Sequence, residues 1–127
     1  MPMKKILIIE DNEAMGKTLV DELSKAGFSP TRTVDAYQGQ QAVLRLKPDL
    51  IILDLMLPAG NGIELLRNLR ASFQTQNLPV VIVTSYQDAE VQKEAETIGV
   101  QGYFNKPFDN AELIQKIKVI LGPHQSP

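Results

Sequence analysis

The chain of 127 residues has no cysteine, so disulfides, thiol nucleophiles and thiolate zinc sites are all excluded. Histidine is almost as scarce. His124, near the C-terminus, is the single one, which rules out a histidine-rich metal centre. No apolar run approaches the roughly 20 residues that a membrane-spanning helix needs. The first residues carry no signal-peptide pattern, so residence in the cytoplasm is the expectation. A surplus of positive charge is missing too. The net charge is −2, the wrong sign for a domain that follows a nucleic-acid backbone by itself. An acidic domain can still regulate a nucleic-acid binder, so that exclusion concerns this chain alone.

What remains is ordinary in bulk: 43% apolar and 22% charged residues, the balance of a globular protein rather than a disordered or fibrous one. The length predicts one domain with one core. Three continuous apolar runs, Ile6 to Ile9, Leu50 to Leu53 and Val80 to Val83, are rich in β-branched residues. They read as strands buried on both faces of a parallel sheet. Ser29 to Thr33 and Gly102 to Phe104 are weaker strand candidates.

Between them the apolar period becomes helical. Met15, Leu19 and Leu23 share a face, with Gly27 placed to end the helix. Ala36 to Leu46 follows Asp35 as N-cap, and Ile63, Leu66, Leu69 and Arg70 mark a third helix. Ala89 to Ile98 lies between a capping Asp88 and Gly99. Asp109 to Glu112 has the spacing of a capping box and opens a fifth helix through Leu121. The order β-α repeated five times predicts an α/β fold with a parallel sheet covered on both faces. Ligands of such sheets bind outside the carboxyl ends of the strands.

Those ends carry Glu10 and Asp11, Asp54, Thr84 with Ser85, and Asn105-Lys106-Pro107. Three carboxylates in one crevice repel unless something neutralises them. A hard divalent cation with oxygen ligands, Mg²⁺, does so naturally. An aspartate can attack a phosphoryl group to give an acyl phosphate, given a metal and a cation to offset the charge of the transferring oxygens. Lys106 supplies the ammonium and Thr84 a hydroxyl donor. Each residue also has a plainer role. Asp11 reads as the N-cap of the first helix and Glu10 as its solvated neighbour. Lys106 reads as a surface lysine, Thr84 as a β-branched strand residue, and Tyr103 as an edge residue with its hydroxyl in water. Taken singly the plainer roles are the stronger. The joint placement of the residues at the strand ends argues against them.

The pieces Ile8-Ile9-Glu10-Asp11-Asn12, Asp54-Leu55-Met56-Leu57-Pro58 with Gly62 beyond, Val83-Thr84-Ser85 and Gly102-Tyr103-Phe104-Asn105-Lys106-Pro107-Phe108 occur in this order. Together they resemble the response-regulator receiver domain over about Lys4 to Leu121. The resemblance implies a flavodoxin-like, doubly wound (βα)₅ fold whose five-stranded parallel sheet has the order 2-1-3-4-5. It implies that a sensor histidine kinase, or a phosphotransfer protein, passes a phosphoryl group from phosphohistidine to Asp54. Mg²⁺ would be held by Asp11, Asp54 and the backbone carbonyl of Met56, with Glu10 reaching it through water. Thr84 and Lys106 would contact the phosphoryl oxygens. Thr84 and Tyr103 would then switch the face formed by the fourth helix, fifth strand and fifth helix. The Lys106-Pro107 peptide is commonly cis in the family.

On this reading the chain is no enzyme towards a separate substrate; it catalyses only its own phosphorylation and dephosphorylation. Its output would be an effector domain or a downstream protein, with no direct contact to nucleic acid or membrane, as a monomer or a phosphorylation-dependent dimer. The domain is expected over 1–122, with 123–127 a short tail or the start of a linker, in a stand-alone protein or a fragment. Glu10 stands where many members have aspartate, and Asn61 where aspartate is frequent. Met56 and Tyr86 are bulky neighbours of the pocket, from which slow autodephosphorylation is expected. Three rivals fare worse. A phosphatase with an aspartate nucleophile typically carries a second aspartate at the position of Met56. A flavodoxin-like cofactor binder lacks its glycine-rich loop, since Glu10-Asp11-Asn12-Glu13 would repel a phosphate. A degenerate receiver sits badly with intact Asp54, Thr84 and Lys106.

Overall fold

A computed structural model describes residues 3–57 and 61–122. Pro58 of the second motif and the tail 123–127, with His124, lie outside the described residues. The chain alternates without exception: β1 (Lys5–Ile9), α1 (Glu13–Lys25), β2 (Ser29–Thr33), α2 (Ala36–Leu46), β3 (Leu50–Leu53), α3 (Gly62–Ala71), β4 (Val80–Thr84), α4 (Ala89–Ile98), β5 (Gly102–Asn105) and α5 (Asn110–Leu121). The five strands form one parallel sheet in the order β2-β1-β3-β4-β5, as expected from the resemblance.

The continuous apolar runs explain why β1, β3 and β4 lie inside the sheet. A strand in the middle buries both rows of its alternating side chains. Ile6, Ile8, Leu50, Ile52, Val81 and Val83 face one layer, made with Leu19 and Leu23 of α1 and Leu113, Ile114 and Ile117 of α5. Leu7, Ile9, Ile51, Leu53, Val80 and Ile82 face the other, with Ala42 and Val43 of α2, Leu65, Leu66 and Leu69 of α3 and Ala95 of α4. Truncating any one of these leucines or isoleucines to alanine costs about 2–5 kcal/mol. β2 is an edge strand, and its sequence Ser-Pro-Thr-Arg-Thr is correspondingly polar. Ser29 donates its N–H to Lys4 and Thr33 accepts from Glu10, so residues 29, 31 and 33 turn their amides to β1 while Pro30 and Arg32 turn theirs outward.

The helix ends follow their caps. Asp35 accepts from Gln38, Asp88 from Glu90 and Asn61 from Ile63. Gly27 takes φ +95° just past α1, where an L side chain would be strained. Two details differ from the sequence reading. The N-cap of α1 is Asn12, whose side chain accepts from Met15, and not Asp11. At α5 Asp109 accepts from Ala111, but no reciprocal bond from Glu112 completes a capping box among the described residues. No helix of the described residues is long and apolar enough to cross a membrane.

Candidate functional site

Strand register alone brings the predicted residues together. Ile9 pairs with Leu53, and the next N–H along, that of Asp54, reaches back to the Ile9 carbonyl at 3.1 Å. Glu10 and Asp54 are therefore side by side where β1 and β3 end. Thr84 pairs with Asn105, and the Lys106 N–H donates to the Thr84 carbonyl at 2.8 Å. That bond sets the lysine at the same end of the sheet, and the Lys106-Pro107 peptide that follows is cis. Oxygens of Glu10, Asp11 and Asp54 lie within 4.8 Å of one another.

The polar contacts are specific. Asp54 is only 3% exposed. Its Oδ1 accepts the Met56 N–H at 2.9 Å and its Oδ2 accepts from Lys106 Nζ at 2.9 Å. The same ammonium lies 2.7 Å from Glu10 Oε1. This second contact is a close ion pair at a buried carboxylate oxygen. Glu10 Oε2 accepts the Asn12 N–H at 3.1 Å. Glu10 is fully buried, which overturns its reading as a solvated neighbour. Asp11 is the exposed member of the three.

Burial raises the Glu10 pKa, and the Lys106 and Asn12 bonds only partly reverse this, while the Asp54 charge adds to it. Burial by itself would depress the Lys106 ammonium. The bonds to Asp54 and Glu10, and their charges, outweigh it and leave the lysine above its ordinary value. The group thus holds a firmly charged cation among acids that it does not fully neutralise.

The remaining predicted residues have contacts of their own. Thr84 is buried, and its Oγ1 accepts the Tyr86 N–H at 3.1 Å; among the described residues it makes no bond to Asp54. Met56 is half exposed, with its sulfur 3.9 Å from Ser85 Oγ. Tyr86 is 40% exposed beside it, and its carbonyl accepts from Asn105. Asn61 is spent on capping α3. Tyr103 packs against the layer that contains Leu66 and Ile82. Its hydroxyl is buried without a partner among the described residues, so the plainer role with the hydroxyl in water does not hold. Burial, with the charges of Glu96 and Asp88, pushes this phenol above the ordinary tyrosine value.

Sequence reasoning missed Arg32. Its Nε donates to the Glu10 carbonyl at 3.0 Å and its other nitrogen to the Asp11 carbonyl at 3.2 Å. An arginine within an otherwise uncharged edge strand was the available signal.

A hard divalent cation fits these residues. Three carboxylates lie around one ammonium, and every donor is an oxygen. The exposed side at Asp11 leaves room for the waters that Mg²⁺ retains.

Comparison with known proteins agrees with this geometry. The family described as "Response regulator receiver domain" matches residues 6–118. The chain is 34% identical over 119 residues to the DNA-binding dual master transcriptional regulator RpaA of Synechocystis sp., covering 94% of this chain and 49% of the relative. It is 32% identical over 126 residues to the phosphate regulon transcriptional regulatory protein PhoB of Pseudomonas aeruginosa, covering 97% and 55%. The chain therefore spans about half the length of these curated relatives. Among solved structures, a CheY-like response regulator receiver domain protein from Methanospirillum hungatei superposes with a TM-score of 0.88 at 26% identity, covering 94% of each chain.

Proposed function

The chain belongs to the response regulator receiver domain family, and from that premise we propose that Asp54 is a phosphoacceptor, charged by a phosphohistidine of a sensor histidine kinase or phosphotransfer protein. One observation carries the reading. A nearly buried aspartate is shared between an ammonium and a backbone N–H at 2.9 Å each, within 4.8 Å of two further carboxylates.

The chemistry follows from those contacts. A carboxylate oxygen of Asp54 attacks phosphorus and forms the acyl phosphate as the phosphorus–nitrogen bond breaks. The electron pair of that bond leaves with the imidazole of the donor. Lys106, already 2.9 Å from Oδ2, is placed to follow the charge onto a phosphoryl oxygen. The Thr84 hydroxyl, which now accepts from the Tyr86 N–H, would donate its own proton to a second one. Glu10, Asp11, Asp54 and the carbonyl of Met56 would hold Mg²⁺, which supplies charge neutralisation for the transferring group when bound. The added group biases a two-state equilibrium. Withdrawal of Thr84 towards the phosphate, with Tyr103 changing position, would repack the face of α4, β5 and α5. The burial of an unpartnered Tyr103 hydroxyl supports a side chain with a second place to go.

The chain would turn over no external substrate. Its output would run through an effector domain or a downstream protein in the cytoplasm, as monomer or phosphorylation-dependent dimer, with no nucleic acid or membrane touched by this domain itself.

Intact-mass spectrometry after incubation with acetyl phosphate tests the proposal. A gain of one phosphoryl group is expected with Mg²⁺, none with EDTA and none in Asp54→Asn. If wild type gains nothing and calorimetry detects no Mg²⁺ binding, the receiver chemistry is refuted for this chain. Binding without a gain points to a poor donor, and a phosphohistidine protein replaces acetyl phosphate.

A further inference from the structure

The loop between β1 and α1 has a peculiarity. Asp11 is its exposed carboxylate, and the Asp11 side chain makes no hydrogen bond among the described residues. With no bond at the carboxylate, what the fold holds in place is the backbone that carries it, and with it the Cα–Cβ bond. Glu10 N–H is held by Thr33 and Asn12 N–H by Glu10 Oε2. The carbonyls of Glu10 and Asp11 are held by one residue, Arg32 of β2. A planar guanidinium presents its donors as a rigid fork, and here the fork spans two successive peptides.

The helix opposite is cut to admit it. A Cβ at Gly16 of α1 would lie 2.1 Å from Arg32 Nε and 2.4 Å from Cδ. A helix interior ordinarily disfavours glycine relative to alanine. At this position the missing side chain is the channel through which the arginine reaches the loop.

We propose that Arg32 is a positioning residue for metal binding, and that Gly16 is the complement that lets it act. The inference rests on the reading of Glu10 and Asp11 as carboxylates that hold Mg²⁺. By fixing two carbonyls, Arg32 fixes the peptide planes on either side of the Asp11 Cα. The Asp11 Cα–Cβ bond is thereby held where the carboxylate comes within 4.8 Å of oxygens of Glu10 and Asp54. Its positive charge by itself would oppose a nearby cation, so charge and geometry pull in opposite directions, and geometry wins. Loss of groups that orient metal ligands typically weakens metal affinity about 10–100-fold. An effect exerted through the backbone belongs at about the tenfold end of that range.

The test is calorimetric titration of Mg²⁺ into the metal-free chain, with circular dichroism melts to confirm folding. Amide chemical shifts of residues 10–12 are recorded alongside. Arg32→Ala is expected to weaken binding about tenfold and to move those amide shifts. Arg32→Lys, which keeps the charge but cannot span both carbonyls, is expected to recover only part. Gly16→Ala should weaken binding as Arg32→Ala does, yet add nothing to it in the double variant, where the space is already vacant. Should Arg32→Ala fail to fold, Arg32→Lys and Gly16→Ala carry the same comparison. Unchanged affinity in the variants, full recovery by lysine, or additive losses in the double variant overturns the proposal while leaving the metal reading intact. A wild-type chain that binds no Mg²⁺ overturns both.

Discussion

Replacing Lys106 with methionine leaves Glu10 and Asp54 with their apolar surroundings and without their shared ammonium, at contacts of 2.7 and 2.9 Å. At an effective dielectric of about 20, each contact is worth roughly 6 kcal/mol of gross attraction, most of it offset by the desolvation of the three groups. The net loss is moderated, because a stranded carboxylate can bind a proton. For Glu10, whose ordinary pKa is 4.5, that escape costs about 1.4 kcal/mol at about pH 5.5 and about 4 kcal/mol at about pH 7.5. The substitution should therefore destabilise the metal-free chain, and by clearly more at the higher pH.

The sign follows from linkage. Glu10 is raised in the folded wild type and rises further without Lys106. The folded state then binds more protons than the unfolded one, and stability falls as pH increases above 4.5. Urea unfolding in EDTA at the two pH values measures the difference, and added Mg²⁺ should restore stability by mass action. A loss below about 1 kcal/mol at both pH values, or one independent of pH, would refute the account of Lys106 as the counter-ion of two buried acids.

Three further outcomes are expected. Tyr103→Phe removes an unpartnered buried hydroxyl and should leave stability at neutral pH unchanged or slightly higher. Because the folded phenol titrates above 10.0, the unfolded chain releases its proton first, and wild-type stability falls as pH rises through that value; in denaturant midpoints across the same window the variant lacks Tyr103's share of the fall. Gly62→Ala places a Cβ 2.6 Å from Leu55 Cα and 2.7 Å from the Asp54 carbonyl. Backbone cannot yield as a side-chain tip does, so a loss of about 1–3 kcal/mol in urea unfolding is expected, together with slower phosphorylation of Asp54. Tyr86→Ala opens the exposed side of the pocket and should speed loss of the phosphoryl group several-fold in a mass-spectrometric time course; an unchanged half-life would remove Tyr86 as a shield against water.

The sheet was legible because its signal is local and repeated. Four consecutive apolar residues at Leu50–Leu53 already say that both faces are covered, and the residue that follows them must lie at a strand end. Caps such as Asp35 and Asp88 are equally local. Residue types at the site were readable for the same reason, since each stands next to such a run. The pairings were not. Lys106 meets Glu10 across nearly the whole chain, and Arg70 ties the end of α3 to the carbonyls of Thr75 and Gly99. No periodicity encodes such contacts. Asn12 displaced Asp11 as the cap of α1 because either side chain suits that position, and only the backbone path decides between them. The full burial of Glu10 was hidden for a related reason. A carboxylate at a loop start reads as solvated until the lysine that accompanies it inward is known.

Pro30 gives the sheet a one-sided character. In β2 the outward-turned positions are Pro30 and Arg32, and proline has no N–H to offer. Arg32 meanwhile commits its side chain inward, to the carbonyls of the β1–α1 loop. A strand laid along this margin would find a rung missing at Pro30, which is how natural sheets discourage edge-to-edge growth. Extension of the sheet by another chain is thus blunted at the β2 margin.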